Sequence, residues 1–405
     1  MARNISPVVF FPSLTDPIRK ALFILGGRLC PSRLQKPVFD AVNAPGATER
    51  ALFVYSALPF HLPESHPAFR YHQNLRQARQ IAGVLAEFGY TVDVVDHSDR
   101  TFRPTRVYDL LLCHRVDHAG LEAAVGPGTV KIYLSSGTNH IVHNARLRER
   151  LRYLEARKPG LQFSQVVWDS EDMPFPKIAD ALIGFGNDAI MDSWQSVVSG
   201  PRYGFPNYGF QTIANPQRDW ASARQNFLFL GSWRQVGKGL DLLLDAFASA
   251  PGLHLHVCSK YKHEPDFCRA YDAELFRTPN IHPCGWIDIG GKRFRELAAR
   301  CAFVLLPSCS EGSPGSVTNT MFAGLIPVVT REAGIDTGGF GFTLQNDRVE
   351  TIRQTATELS RMPSQEVATL SHATRRAAEE RFSEAAFLRR WREIMAEVTA
   401  TLRKP

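Results

Sequence analysis

Apolar and polar positions alternate in blocks along this 405-residue chain, and the blocks predict a run of strands and helices. After a poorly patterned opening the alternation begins at "ALFVYSA" (51–57), a strand. A polar loop leads to "FRYHQNLRQARQIAGVLAEFG", an amphipathic helix closed by Gly89, the residue type that ends helices most readily. "YTVDVVD", "YDLLLCH" and "VKIYLSS" read as strands, with a short helix at "GLEAAVG" between the last two. "ARLRERLRYLEARK" is helical, with Leu147, Leu151 and Leu154 on one face. "ADALIGFG" is a strand and "DAIMDSWQSVV" a helix. The stretch "SGPRYGFPNYGFQTIANPQRDW" is rich in Gly, Pro, Asn and aromatics, breaks the pattern and reads as a linker.

The alternation then restarts. "NFLFLGS", "LHLHVCS", "IHPCGWI", "AFVLLPS" and "IPVVT" are strands. "KGLDLLLDAFASA", "PDFCRAYDAELF", "KRFRELAARC" and "SVTNTMFAG" are the helices between them. Two more helices close the chain, "VETIRQTATELSRM" and a long stretch from Ser364 to Leu402. Strand–helix–strand repetition is the signature of a parallel sheet wrapped by helices. Two such α/β units in tandem are expected, with spans 1–214 and 215–380 and a final helical segment 381–405. Ligand sites belong at the strands' carboxyl ends and in the cleft between the units.

Composition narrows the class. With 44% hydrophobic and 21% charged residues the chain is an ordinary soluble globular protein. No apolar run reaches the ~20 residues that span a bilayer. The first twenty residues carry Arg3 but also Pro7, Pro12, Asp16 and Pro17, so no signal peptide is expected. Seven scattered cysteines (Cys30, Cys113, Cys258, Cys268, Cys284, Cys301, Cys309) form no C-x-x-C pair and read as free thiols in a reducing cytosol. The net charge of +7 suits a phosphorylated ligand, an anionic membrane surface or nucleic acid. It is densest in 146–158, where Arg146, Arg148, Arg150, Arg152, Arg157 and Lys158 face Glu149 and Glu155. That helix reads as a solvated face, or as a surface that docks on lipid head groups or an anionic acceptor.

Two loops of the second unit carry chemistry. Neither unit has G-x-G-x-x-G after its first strand. "GSWRQVGKG" instead follows "NFLFL" and opens a helix at Lys238. Gly231 and Ser232 allow a tight turn, and Arg234 and Lys238 bring positive charge to a strand end, the ingredients of a diphosphate cradle. "PSCSEGSPGSVTNTMFAGLIPVVT" leaves the next-to-last strand. Ser313 is placed to cap the following helix and Pro314 to occupy its first turn, so the amides of Gly315 and Ser316 face the cleft. Glu311 beside them either accepts hydrogen bonds from sugar hydroxyls or offsets the helix dipole.

In order and spacing, "FLGSWRQVGKGLDLLLDAF", "PNIHPCGW" and "LAARCAFVLLPSCSEGSPGSVTNTMFAGLIPVVT" resemble the C-terminal half of a GT-B glycosyltransferase, nearest to the retaining enzymes of glycosyltransferase family 4. The resemblance covers roughly residues 225–345. It implies two Rossmann-like domains facing each other, a last helix returning to the first domain, acceptor binding in the first and nucleotide-sugar binding in the second. It implies that Glu311 binds the donor sugar and that Lys238 and Arg234 neutralise the leaving diphosphate. Cys284 to Ile287, with Gly285 and Trp286, would frame the base. The second acid of the family's E-x7-E pattern, a ribose ligand, falls on Asn319. His140, after "VKIYL", stands where members place a His facing the donor sugar, while His143 reads as structural. Expected partners are a nucleotide-diphosphate sugar and a sugar or lipid-linked acceptor, without cofactor, metal or nucleic acid. A cytoplasmic location is expected, with or without peripheral contact at the inner membrane face. The expected activity is retaining hexosyl transfer in polysaccharide or glycoconjugate synthesis. The alternatives are a GT-B epimerase or phosphorylase, or a non-catalytic sugar-nucleotide-binding subunit.

Overall fold

The computed structural model describes residues 36–70, 73–161, 163, 171–210 and 212–402; the opening segment, with Cys30, lies outside them. Strands β1 (Val38–Val42), β2 (Glu49–Tyr55), β3 (Tyr90–Asp96), β4 (Tyr108–Cys113), β5 (Val125–Ser135), β6 (Ala181–Phe185) and β7 (Arg202–Phe205) form one sheet, ordered β1-β3-β2-β4-β5-β6-β7. All its pairs are parallel except β1 with β3. The second sheet, ordered β10-β9-β8-β11-β12-β13, is parallel throughout: β8 (Asn226–Leu230), β9 (His254–Cys258), β10 (Ile281–Pro283), β11 (Phe303–Leu306), β12 (Ile326–Val329) and β13 (Phe342–Thr343). Central strands β4 (with "LLLC") and β11 ("FVLL") are apolar runs, as sheets covered on both faces require.

Eight helices of eight residues or more cover the sheets among the described residues: α1 (Gln73–Glu87), α2 (His140–Arg157), α3 (Leu240–Ala248), α4 (Lys292–Arg300), α5 (Gly315–Phe322), α6 (Val349–Arg361), α7 (Ser364–Arg381) and α8 (Glu384–Leu402). The long closing stretch is thus two helices, broken at Phe382 and Ser383. After the break α8 returns to the first sheet and buries Phe387, Trp391, Ile394, Met395 and Val398 in its core. The "linker" contains β7: "RYGF" pairs with β6, and Phe205 packs its ring at 5.6 Å from Phe387 and 5.4 Å from Trp391. β5 starts at Val125, which reduces the expected short helix to one turn, and "PDFCRAYDAELF" breaks into two short helices at Tyr271.

Helix α2 corrects the reading of the basic segment. Its leucine side and most of its cations face the second domain. Arg150, 2% exposed, donates to the carbonyls of Pro307 (2.9 Å) and Val236 (3.1 Å) and to Asp347 Oδ2 (2.7 Å). Arg157 pairs with Asp241 and Asp245, Lys158 with Glu274 at 2.8 Å, and Arg146 with Glu332 at 3.7 Å. Leu154 belongs to the second domain's core. Four of the six cations are therefore spent on second-domain acids, and Arg148 pairs with Glu171. The charge that suggested a solvated or lipid-facing surface instead fastens one domain to the other. Among the described residues, no helix is long and apolar enough to cross a membrane.

Candidate active site

The second sheet reverses its strand order between β8 and β11, and ligands of open α/β sheets bind outside the carboxyl ends at such a switch point. The loops leaving these two neighbouring strands are those that carry Lys238 and Glu311. Side by side in space, they form the floor of a cleft of about 1440 Å³ between the domains.

The β8 loop is held by a residue the sequence reading passed over. Glu264, buried, accepts from the amide of Arg234 at 2.6 Å and from the amide and side chain of Gln235 at 3.1 and 3.2 Å. The only hint of it in the sequence was an acid before Pro265 at a short helix start. This clamp accompanies a left-handed backbone at Arg234 (φ +67°). Arg234 lines two smaller cavities on the α2 side, with His143 and Glu311, and is not among the residues lining the main cleft. Lys238 stays in the cleft. It sits in the turn before α3, which starts at Leu240, two residues later than expected, after a left-handed Gly239.

The β11 loop presents Glu311, whose carboxylate pairs with the Lys238 ammonium. Burial pushes the Glu311 carboxyl up, but the charges of Lys238, Arg234 and His143 outweigh it, and the net direction is down. Glu311 is thus an anion held by a cation. The backbone here touches the first domain: Thr138 donates its amide and hydroxyl to Glu311 O at 3.4 and 3.2 Å. Side chains would block this crossing. A Cβ on Gly137 would lie 2.9 Å from Glu311 O, and one on Gly312 would collide with the Ser136 carbonyl.

Ser313 does not cap α5. It has a left-handed backbone (φ +53°), and its Oγ accepts from the amide of Asn207 at 2.9 Å. The N-cap is Pro314, with no side-chain cap. The first amides of a helix have no partner within it, and those of Gly315 and Ser316 border the cleft.

Asn319 is also committed to structure. Its Oδ1 accepts from the amide of Phe210 at 2.7 Å, and its Nδ2 donates to Gly315 O at 2.7 Å. The segment after β7 is thereby stitched across α5. Gln77 of α1 donates to Asn207 Oδ1 at 2.6 Å, and Gly209 donates to Phe382 O at 2.9 Å. Phe210, Thr212 and Ile213 form a wall of the cleft.

Gly231, Ser232, Lys238, Trp286, Glu311, Pro314, Gly315, Ser316 and Asn319 all line that cleft. Trp286, 49% exposed, follows the left-handed turn at Gly285 (φ +72°), which is not itself a lining residue. His140 begins α2 and lines a neighbouring cavity of about 90 Å³ with Arg234, Ser310 and Glu311. His143 is buried with its Nδ1 2.9 Å from Ser310 Oγ, a contact across the domain boundary. The first domain's side of the cleft includes His66, Phe69, Arg76, Arg79 and Gln80, none of which the sequence pattern marked.

Residues 224–361 match the family model "Glycosyl transferases group 1". A search of curated protein sequences finds no match. Among solved structures, the fold is similar to sucrose-phosphate synthase from Thermosynechococcus elongatus, with 14% identity, 81% of this chain and 94% of that one covered, and a TM-score of 0.56. It is also similar to Anabaena HepE in complex with UDP-glucose, with 14% identity, 86% of this chain and 100% of that one covered, and a TM-score of 0.53. The chain has the GT-B fold, and the family resemblance holds over the loops that floor the cleft.

Proposed function

We propose that this GT-B glycosyltransferase moves a sugar from a nucleotide-diphosphate donor to an acceptor hydroxyl with retention, in the synthesis of a polysaccharide or glycoconjugate. The observation that carries the reading is the Lys238–Glu311 pair on the cleft floor, beside the amides of Gly315 and Ser316. As the bond between sugar and diphosphate breaks, negative charge grows on the leaving group. An ammonium and oriented amides already in place stabilise that charge without reorganising. Lys238 is neutralised by Glu311 before the donor arrives. A diphosphate competes for the ammonium, and the carboxylate it releases is free to accept hydrogen bonds from sugar hydroxyls.

The acceptor enters from the first-domain side of the cleft. The Anabaena complex makes a uridine donor the first to try. Release of nucleoside diphosphate from a panel of nucleotide sugars tests the proposal. Release with one donor, dependent on an acceptor hydroxyl, supports it. Donor binding without release favours a binding-only subunit, and no donor binding sinks both readings.

A further inference from the structure

The fold brings together two cysteines from the ends of neighbouring strands. β9 and β10 pair in parallel, with His256 opposite His282 and Val257 opposite Pro283. The Cys284 amide donates to Val257 O at 2.8 Å, so the next register position sets Cys284 opposite Cys258. Side chains alternate between the faces of a sheet, so both thiols share a face with His256 and His282, whose rings stack at 4.6 Å. Helix α4 covers that face. Arg293 and Arg300 line a cavity of about 120 Å³ with the two histidines, and Arg293 Nη2 lies 4.0 Å from Cys284 Sγ. Neighbouring strands run ~4.8 Å apart, inside the ~4.4–6.8 Å between Cα atoms that a disulfide spans.

We propose that Cys258 and Cys284 are a thiol pair that closes a reversible disulfide when the protein meets a hydroperoxide. The roles divide by surroundings. The Cys284 sulfur lies 3.5 Å from the His282 carbonyl, and the neighbouring Cys258, with His256 and Arg293, holds the Cys284 thiol well below its usual range. The neighbouring Cys284, together with burial, pushes Cys258 up. Burial also raises the other described cysteines, Cys113 to about 12 and Cys309 to about 11, with Cys268 and Cys301 moved the same way. Cys284 is also only half-buried, so among the described cysteines it alone combines a lowered thiol with access to solvent.

The Cys284 thiolate attacks one peroxide oxygen and hydroxide leaves, giving a sulfenic acid. The Cys258 sulfur then gives up its proton and attacks that sulfur, and water leaves. The Cys258 proton leaves with the sulfenic oxygen as water, and the hydroxide takes up the proton that Cys284 lost on ionising, so two thiols and one hydrogen peroxide give one disulfide and two waters. A small dithiol reverses the bond by exchange. Joining the sulfurs draws Cys284 toward β9, two residues before Trp286, so the oxidised form should bind donor more weakly. That consequence rests on the donor-site reading above; the thiol chemistry does not.

The test treats the full-length reduced protein with equimolar hydrogen peroxide, then alkylates and maps the peptides. The expected result is a cross-link between the Cys258 and Cys284 peptides that forms before any other cysteine reacts and disappears with dithiothreitol. In Cys258→Ser, dimedone should trap a sulfenic acid at Cys284. In Cys284→Ser, altered at a half-buried position, Cys258 should stay reduced. Another cysteine reacting first, or Cys284 passing to the sulfinic acid without cross-linking, overturns the proposal. Donor titration before and after oxidation reads the consequence separately. A cross-linked protein with unchanged donor affinity refutes the coupling to the cleft, and a reduced protein that binds no donor refutes the donor site instead.

Discussion

The two sides of the cleft are built differently. The second-domain floor takes its shape locally: two loops from neighbouring strands set Lys238 beside Glu311, and bonds within the domain shape each loop, Glu264 holding one and the Glu332 and Ala333 carbonyls the other, before first-domain groups dock on them. The first-domain side is held by contacts across the boundary. Arg150 reaches the carbonyls at the base of both floor loops, His143 meets Ser310, and the segment after β7 is tied to α5. A floor made locally can be conveyed by a short motif. A wall made by docking depends on where a whole domain sits.

The comparison is broken most severely at Arg150. Arg150→Ala takes the guanidinium from the Pro307 carbonyl and Asp347, leaves the Val236 carbonyl with the Gly239 amide alone, and should cost about 3–5 kcal/mol of stability. Arg152→Ala, at an exposed position of the same helix, should change stability by less than about 0.5 kcal/mol. Burial raises the Asp347 carboxyl, but Arg150 outweighs it and holds it below its usual range. Its contribution is therefore full above the unfolded-state value of about 3.9 and is lost as pH falls through the lower folded value, so the gap between variant and wild type should narrow in strong acid to the part that the Pro307 and Val236 carbonyls carry. Urea unfolding of both variants across pH measures this. Equal losses for Arg150 and Arg152 would make α2 an ordinary surface helix.

This difference also explains what the sequence disclosed. Both floor loops and most strands of the second sheet follow from periodicity and turn residues, and a family match spans the same region. The partners of α2 were hidden because a sequence shows arginines but not which acids they will meet, and Asp347 lies 197 positions from Arg150. β7 was hidden because "RYGF" has no pattern of its own. Its Phe205 is buried by pairing with β6 and by α8, nearly two hundred residues later in the chain. Glu264 was hidden because holding two backbone amides leaves no spacing signature.

Next in size is the floor itself. Lys238→Ala should remove about 2–4 kcal/mol of transition-state stabilisation, seen as a lower kcat and a higher donor KM. Steady-state kinetics on a variant with unchanged unfolding would check this, and unaltered donor kinetics would remove Lys238 from the chemistry.

Glu311→Gln should separate two ligands that a simple donor-binding residue would not. It loses a charge-assisted bond to the sugar, worth about 1.5–3 kcal/mol, so turnover of the intact donor should fall roughly 10–100-fold. It also removes the anion that neutralises Lys238, so the bare nucleoside diphosphate should bind as tightly as before or tighter. Calorimetric titration with both ligands makes the comparison. Equal weakening of both would leave Glu311 with no role toward the sugar.

The smallest effect is expected where the two sides are sewn together. If Asn319 gripped a ribose, Asn319→Glu would supply the acid that the family pattern has there and tighten nucleotide binding. In this fold both polar ends of Asn319 are already used, one by the Phe210 amide and one by the Gly315 carbonyl. A glutamate has no donor for that carbonyl, and its longer arm must move either the carboxylate or the Phe210 segment. Asn319→Glu should therefore cost about 1 kcal/mol of stability, close to the loss from Asn319→Ala, with a change in nucleoside diphosphate affinity below about threefold. Thermal unfolding and calorimetric titration of the two variants decide it. A glutamate variant that is as stable as wild type and binds nucleotide more tightly would return position 319 to the ribose and make the stitch incidental. Parallel losses in both variants would mean that a ligand position of the family pattern here holds one domain to the other.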